Sequence, residues 1–240
     1  MNKTGSGHVE VIISFVLFIG FLGFIFIAFN PLKPSSNSAI VNSVYNVLEE
    51  NLSVELNKVS VNLNSIPAGQ NCFKLLNTGQ LISDLSCNNQ NILIKDKDNR
   101  KKPAQIINNE IVSGLSSDSN FYTIYCSDEV NPNLGSFSLC EEYDETQYEV
   151  GIIVSSNYWS LKKLNDLRNN YQTNYDNTKK EFVRETSDFG FITWDLNLSK
   201  EFDVTQEVPK GLDVISKTLP INIIDSDANV TKHTITVMTW

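Results

Sequence analysis

The sequence predicts an α+β protein in which an N-terminal transmembrane helix is followed by an extracytoplasmic, mainly antiparallel β-sheet domain with one or two packed helices. Residues 11–29 are nineteen apolar or small residues without a charge, and at about 1.5 Å of rise per residue they nearly cross a hydrocarbon core of about 30 Å. Later in the chain, short apolar runs bounded by Asn, Asp, Ser or Gly are typical of antiparallel strands. Two segments instead repeat apolar residues at three- and four-residue spacing, which indicates amphipathic helices.

The composition excludes several classes of protein. The chain has 240 residues, of which 41% are hydrophobic, enough for one or two domains with a core. Its 28 acidic and 19 basic residues give a net charge of −9. A nucleic-acid binder needs a basic face to offset phosphate charge, so no nucleic-acid partner is expected. The same composition argues against collagen, a coiled-coil rod and a fully disordered chain.

The apolar segment is predicted to stay in the mature protein. A secretory h-region would be shorter, about 7–15 residues, and no A-x-A-like cleavage site follows this one. Lys3 and the amino terminus precede the span, and between residues 33 and 58 two lysines are outnumbered by three glutamates. The positive-inside bias therefore favours a single-pass protein of the cell membrane, with its N-terminus cytoplasmic and its C-terminal domain extracellular.

Glu10 stands at the mouth of the span, where an ionisable group is costly and invites a functional explanation. The alternative is a carboxylate that snorkels to the headgroups near the helix N-terminus, where the helix dipole favours an anion.

The residues around Glu10 form a motif. Residues 3–5, Lys-Thr-Gly, then residues 6–10, Ser-Gly-His-Val-Glu, then the apolar run, resemble the class III signal peptide of archaeal type IV pilins. The resemblance implies a leader of residues 1–5, cleavage between Gly5 and Ser6 by a prepilin peptidase, and a retained helix that packs a filament core. It also places Glu10 at position five of the mature chain, where it would pair with the N-terminal amine of a neighbouring subunit and satisfy both charges. A cut after Gly7 is the alternative and would put Glu10 at position three.

Pro31 and Pro34 follow the span at once. We place a transmembrane helix at residues 6–30, a Pro/Ser linker at residues 31–38 and the extracytoplasmic α+β domain at residues 39–240. A major pilin generally continues its first helix well beyond the membrane, and proline denies that continuation. The two prolines therefore favour an alternative, an unprocessed bitopic membrane protein with an extracytoplasmic binding domain that does not polymerise.

The spacing of apolar residues at the start of the domain changes from that of a helix to that of a strand. Residues 39–52 carry apolar residues at helical spacing, which predicts a helix. Val59, Val61 and Leu63 then alternate with polar residues, which is the pattern of a strand. Further apolar runs predict strands at residues 72–76, 92–94, 121–126 and 150–154.

The C-terminal part of the domain is predicted to contain one further helix and a hairpin. From an N-cap at Ser160, an apolar stripe continues to Phe182 and predicts an amphipathic helix on the sheet. A strand is expected at residues 189–194. Residues 219–224 and 230–240 flank a polar turn and predict a terminal hairpin.

Four cysteines, Cys72, Cys87, Cys126 and Cys140, all lie beyond the span. Their order makes Cys72–Cys87 and Cys126–Cys140 the simplest of three possible pairings, and closing loops of about 15 residues would stabilise the fold by about 3 kcal/mol each in the chain-entropy model. A Cys₄ metal site is a poor alternative because no C-x-x-C pair exists. Buried reduced thiols stay open as another. We expect disulfide bonds and an oxidising exterior.

Three N-x-S/T sequons lie on the same side, at Asn51, Asn197 and Asn229. They permit glycosylation, as in a surface glycoprotein, but several sequons arise by chance in a chain with 29 Asn.

No catalytic constellation rises above background, so neither catalytic residues nor an enzyme activity is expected. The sequence has no G-x-S-x-G, H-E-x-x-H, Walker A or G-x-G-x-x-G motif. A Cys72/His233 dyad would need a free thiol, which conflicts with the disulfides. We expect His233 to be an exposed histidine on the terminal strand.

A partial calcium-loop pattern is also present. Asp225, Asp227 and Asn229 match its first three ligand positions, but Val230 replaces the required glycine and Thr236 replaces the final glutamate. A polar hairpin turn explains the same residues, and no metal or cofactor is expected.

Two charge clusters complete the pattern. Residues 95–102 mix lysines, aspartates and an arginine and predict a solvated hairpin tip. An acidic patch at residues 141–145 follows Cys140. A functional interpretation is docking between subunits, one cluster against the other, with Lys101 and Lys102 as the basic side.

Together the patterns and the resemblance predict a non-enzymatic, pilin-like, membrane-anchored cell-surface protein. It would be a structural or adhesive subunit of a type IV pilus-like assembly. Its expected partners are the membrane, a prepilin peptidase, and copies of itself or other pilin-like subunits.

Overall fold

The computed structural model describes residues 6–29, 36–66, 69–183 and 187–240. The helices are α1 (Ser6–Phe29), α2 (Ser36–Leu52), α3 (Gly79–Asp84), α4 (Leu161–Thr173) and α5 (Tyr175–Phe182). The strands are β1 (Ser53–Leu63), β2 (Cys72–Leu75), β3 (Ile92–Asp96), β4 (Lys101–Lys102), β5 (Ala104–Ile107), β6 (Glu110–Gly114), β7 (Phe121–Cys126), β8 (Glu141–Tyr143), β9 (Tyr148–Val150), β10 (Val154–Ser160), β11 (Phe189–Trp194), β12 (Lys200–Val204), β13 (Ile215–Ile224) and β14 (Val230–Thr239).

The predicted α+β class with a mostly antiparallel sheet is confirmed. Among the described strands, only the β10–β13 and β2–β8 pairs are parallel. An N-terminal helix is present as α1, which has 24 residues. Within the described ranges, no helix is both long and apolar enough to cross a membrane. The membrane crossing stays a prediction, and most of the predicted linker lies outside the described residues.

Strand β1 lies at the centre of the large sheet. The strand order is β12-β11-β14-β13-β10-β1-β7-β3-β4, and β9 also pairs with β1. Residues 53–58 pair antiparallel with β10, residues 57–62 pair with β7, and residues 61–63 pair with β9. A small sheet with the order β5-β6-β2-β8 covers part of the large one.

The apolar alternation predicted for β1 is confirmed and divides the core. Val59, Val61 and Leu63 are buried in a cluster shared with the small sheet, α3 and β7. Leu56 is buried in a smaller cluster with Leu93 and Ile224. Because alternate residues of a strand point to opposite faces, the small cluster lies on the other face of the large sheet.

The helices α2, α4 and α5 pack together on the large sheet. Helix α2 confirms the predicted helix at residues 39–52, and its Val44 and Leu48 are fully buried. These side chains share a core cluster with Leu164 of α4 and with residues of β10 to β14. Since Ile223 belongs to this cluster and its neighbour Ile224 to the smaller one, the helices lie on the same face as the small sheet.

The single helix predicted from Ser160 to Phe182 is wrong, because it is broken at Asn174. That residue has φ −147° and ψ 55° and separates α4 from α5. Its carbonyl accepts hydrogen bonds from the amide and the hydroxyl of Thr178, so it begins the second helix. The Asn174 side chain makes no capping hydrogen bond to the backbone, and its Oδ1 accepts a hydrogen bond from Asn177 Nδ2 at 3.0 Å. The N-cap predicted at Ser160 is confirmed, since its hydroxyl accepts from the Lys163 amide.

The strand predicted at residues 150–154 is also wrong, because a β-bulge lies there. Val61 pairs with Val150 and Lys58 pairs with Val154, so three steps along β1 face four steps along the partner chain. The extra residue interrupts the ladder between β9 and β10. Gly151 lies in the bulge and donates its amide to the Ser60 carbonyl. A Cβ at this position would collide with the Ser60 hydroxyl, which explains the glycine.

Glu129 joins the end of β7 to the start of α4. The residue is 4% exposed, and its carboxylate accepts hydrogen bonds from the Ser160 hydroxyl and, at 3.0 Å, from the Lys162 amide. It therefore satisfies donors at the first turn of α4, where the helix dipole also favours an anion. No sequence pattern marks this residue, because it lies 31 residues before Ser160.

Replacing Glu129 with Ala should destabilise the domain. The change leaves the Lys162 amide and the Ser160 hydroxyl without their buried acceptor, which costs about 1–3 kcal/mol. Urea unfolding of the full chain in detergent measures the effect. Glu145→Ala, at an exposed acidic residue, is the control and should change stability by less than about 0.5 kcal/mol. Equal effects of the two substitutions would contradict the capping role.

Candidate functional site

Helix α1 exposes apolar side chains around its whole circumference. Ten of them are between 51% and 69% exposed: Val11, Ile12, Ile13, Phe15, Val16, Leu17, Phe18, Ile19, Phe21 and Phe24. Consecutive residues of a helix are rotated by about 100°, so this set leaves no polar face. A helix that is apolar on all sides requires an apolar environment on all sides, as in a protein core or a lipid bilayer.

The residues of the predicted leader site fall at the start of this helix. Gly5 lies outside the described residues, Ser6 is the first residue of α1, and Glu10 lies in its second turn. Backbone amides at a helix N-terminus lack intrahelical partners and favour a nearby anion. Cleavage after Gly5 and a role of Glu10 in assembly stay predictions.

The four cysteines form two disulfide bonds, as predicted, but the simplest pairing is wrong. Cys72 is bonded to Cys140, with Cα atoms 4.8 Å apart, and Cys87 to Cys126, with Cα atoms 5.3 Å apart. The reason is strand pairing rather than distance along the chain. Parallel β2 and β8 bring Cys72 beside Cys140, and the β3–β7 pairing brings Cys126 near the turn that holds Cys87.

His233 does not lie exposed on its strand, so that expectation is wrong. It is 8% exposed, because it pairs with Ile221 on the core-facing side of the β13–β14 hairpin. Its Nε2 lies 2.8 Å from the Thr231 hydroxyl and its Nδ1 lies 3.0 Å from a Glu201 carboxylate oxygen. A Cys72/His233 dyad has no thiol, since Cys72 is in a disulfide bond.

The partial calcium-loop pattern is a hairpin turn. The Asp225 carboxylate accepts hydrogen bonds from the amides of Asp227 and Asn229, both at 2.8 Å. Asp227 forms an ion pair with Lys101. Over the part of the chain that the structure describes, no group of three or more His, Cys, Asp or Glu could hold a metal ion. The predicted terminal hairpin, β13 and β14 around this turn, is confirmed.

The charged segment at residues 95–102 forms the β3–β4 hairpin, as predicted, but it is not solvated throughout. Lys95 and Asp96 are 3% and 4% exposed. The two lysines assigned to docking are engaged within the chain, since Lys101 pairs with Asp227 and Lys102 lies 3.2 Å from the Asp96 carboxylate. Docking of this hairpin against the acidic patch of another subunit is therefore no longer favoured.

Asp96 is the most constrained carboxylate of the hairpin. Burial alone would raise the pKa of its carboxyl group, but hydrogen bonds from Ser116, Arg100 and Lys102 outweigh burial, and its pKa lies well below the usual value. The Arg100 guanidinium is 2.8 Å away and the Ser116 hydroxyl 2.7 Å away. The mixed charges of residues 95–102 predicted a solvated loop. The sequence does not show that Asp96 pairs with Tyr122 inside the sheet, which is why its burial was missed.

The three sequons differ in their structural setting. Asn51 and Asn197 are exposed. Asn229 is exposed as a residue, but its carboxamide is engaged at both ends, by the Lys95 ammonium and by the Asp225 carboxylate. A glycan on Asn229 would have to displace the Asp225 contact.

The chain matches no protein-family model, no curated protein and no solved structure. The arguments about its function therefore rest on its own residues.

Replacing Asp96 with Asn should destabilise the domain at neutral pH and change its acid sensitivity. The Asn side chain cannot accept all the hydrogen bonds that the buried carboxylate accepts, which costs about 1–3 kcal/mol. Because the folded pKa of Asp96 is depressed, its contribution is present above the unfolded pKa of about 3.9 and is lost as the pH falls towards the folded pKa. The difference in unfolding free energy between the wild type and Asp96→Asn should therefore be largest at pH 7 and smaller at pH 3.

Urea unfolding of the full chain at both pH values measures this difference. Asp98→Asn is the matched control, because Asp98 also pairs with Arg100 but is about half exposed. It should change stability by less than about 1 kcal/mol at either pH. If the loss of unfolding free energy in Asp96→Asn were as large at pH 3 as at pH 7, the depressed pKa of Asp96 would be contradicted.

Proposed function

We propose that this chain is a pilin-like, membrane-anchored cell-surface protein with a non-enzymatic structural or adhesive role in a type IV pilus-like assembly. The observation that carries the proposal is α1, whose exposed side chains are apolar on every face. The motif at residues 3–10 supports processing by a prepilin peptidase between Gly5 and Ser6.

Helix α1 would lie in the membrane before assembly and in a filament core afterwards. Its 24 residues extend for about 36 Å at 1.5 Å of rise per residue. The uncharged segment at residues 11–29 nearly matches a hydrocarbon thickness of about 30 Å. Seven Cα steps separate Phe29 from Ser36, so the domain would start within about 25 Å of the end of α1.

The two disulfide bonds support an extracytoplasmic position of the domain. All four cysteines are paired, and disulfides persist mainly in oxidising compartments. With the positive charge of Lys3 on the opposite side of α1, the orientation would be N-terminus cytoplasmic and domain extracellular. The partners would be the membrane, the prepilin peptidase, and further copies of this chain or similar subunits.

A second candidate is an unprocessed bitopic membrane protein whose extracellular domain binds a partner and does not polymerise. It is favoured by the end of α1 at Phe29, just before Pro31 and Pro34. Proline disfavours the continuation of a helix, so the two prolines argue against a first helix that extends well beyond the membrane.

The N-terminus of the mature chain distinguishes the two candidates. We expect mass spectrometry of N-terminal peptides from native membranes to find a chain that starts at Ser6. In a strain without the prepilin peptidase, the same peptide should be replaced by one that retains residues 2–5. A native chain that still carries the leader in the presence of the peptidase would favour the bitopic protein.

Replacing Glu10 with Gln tests the role in assembly. Removing the charge while keeping the size should leave cleavage and membrane insertion intact but lower the amount of assembled protein sheared from cells, because the neighbouring amine loses its partner. Glu50→Gln, at an exposed residue of α2, is the control and should assemble normally. Normal assembly of the Glu10 variant would contradict the proposed pairing.

A further inference from the structure

The β3–β4 hairpin and the β13–β14 turn meet at a lysine and an asparagine that are 134 residues apart in the chain. The Lys95 Nζ donates a hydrogen bond to Asn229 Oδ1 at 3.0 Å. Lys95 is 3% exposed, although lysine is rarely buried so completely. This contact therefore holds a buried amine against the carbonyl group of a carboxamide.

The opposite end of the same carboxamide contacts a carboxylate. Asn229 Nδ2 donates to Asp225 Oδ2 at 3.0 Å, and the other oxygen of Asp225 accepts the Asn229 backbone amide at 2.8 Å. An ammonium or amine can only donate to an amide oxygen, and a carboxylate can only accept from the amide nitrogen. The two partners together fix the orientation of the Asn229 side chain.

The surroundings of Lys95 shift its pKa downward, which raises the share of the neutral, nucleophilic amine. Burial lowers the pKa of Lys95, and the nearby Lys101 lowers it further, while Asp225 and Asp227 oppose this shift. The Tyr125 ring lies 5.4 Å from Nζ. Because Lys101 pairs with Asp227, Asp225 is left as the carboxylate that contacts the carboxamide.

We propose that Lys95 and Asn229 form an intramolecular amide bond, with Asp225 as the proton carrier. The Lys95 nitrogen attacks Cγ of Asn229 and gives up a proton, which Asp225 takes and passes to Nδ2. The Cγ–Nδ2 bond then breaks and one ammonia molecule leaves. The new bond joins Nζ to Cγ, Asp225 returns to its starting state, and no oxidant, metal or cofactor takes part.

The bond would connect two distant parts of the large sheet. Strand β3 lies near one end of the sheet order, and β13 and β14 lie beyond the central β1. Among the described residues it would add a third covalent cross-link to the two disulfide bonds, and unlike them it would resist reduction. It would also consume the Nδ2 that a glycan at Asn229 requires, so the amide bond and glycosylation exclude each other.

A second lysine–asparagine contact in the chain provides an internal comparison. Lys217 Nζ donates to Asn42 Oδ1 at 2.8 Å, but both residues are exposed. Within the described ranges, no carboxylate accepts a hydrogen bond from the Asn42 amide nitrogen. This pair lacks both the burial of Lys95 and a proton carrier, so it should remain unlinked.

Peptide mass spectrometry of the full-length protein from native membranes tests the proposal. After reduction and trypsin digestion, the amide bond predicts one species that joins residues 75–97 to residues 218–232 and is lighter than their sum by one ammonia molecule, since trypsin does not cut at an acylated Lys95. An arm that begins at residue 218 requires cleavage after Lys217, so the joined species would itself show that Lys217 is not linked. Fragment ions from both arms must appear in the tandem spectrum.

Three outcomes would overturn the proposal: separate unmodified peptides 75–95 and 218–232, a glycan on Asn229, or a loss of ammonia confined to the 218–232 peptide. Lys95→Arg and Asp225→Asn should each abolish the joined species, while Lys97→Arg, at an exposed lysine of the same hairpin, should retain it. The wild-type result decides the question even if a variant fails to fold. It is also independent of cleavage at Gly5, so it can fail or succeed separately from the proposed pilin-like function.

Discussion

The domain depends on the pairing of β1 with three partner strands at once. Its first half pairs with β10, its second half with β9, and β7 pairs along the other edge. Helix α2 leads directly into β1. Residues 36–63 therefore contribute both to the core cluster between the helices and the sheet and to the core cluster under the small sheet. The bulge at Gly151 divides one edge of β1 between the consecutive strands β9 and β10.

Buried charged groups join parts of the fold that are distant in sequence. Asp96 holds the β3–β4 hairpin through Arg100, Lys102 and Ser116, and Glu129 joins the end of β7 to α4. Lys95 reaches the terminal hairpin. Each of these groups is compensated by hydrogen bonds or opposite charge, as burial of charge requires. The same burial that makes such groups costly also changes their chemistry, which is how a structural lysine becomes a candidate nucleophile.

The surface of α1 and the surface of the domain differ in polarity, as the two proposed environments require. Helix α1 is apolar on every face, which suits lipid or the packed helices of a filament. The domain instead carries the sequons, the paired cysteines and most of the charged residues.

The sequence by itself determined the elements whose signals are local. The apolar segment of α1, the helical period of α2, the alternation in β1, the N-cap at Ser160 and the turn at residues 225–229 are all properties of a few neighbouring residues. The presence of disulfide bonds also followed from composition and position. Tertiary structure alone decided which cysteines pair, because partners are chosen by strand neighbours such as β2 and β8 rather than by separation along the chain. It likewise decided that His233, Lys95 and Asp96 are buried and that Lys95 meets Asn229, since contacts between residues more than a hundred positions apart depend on the whole sheet order.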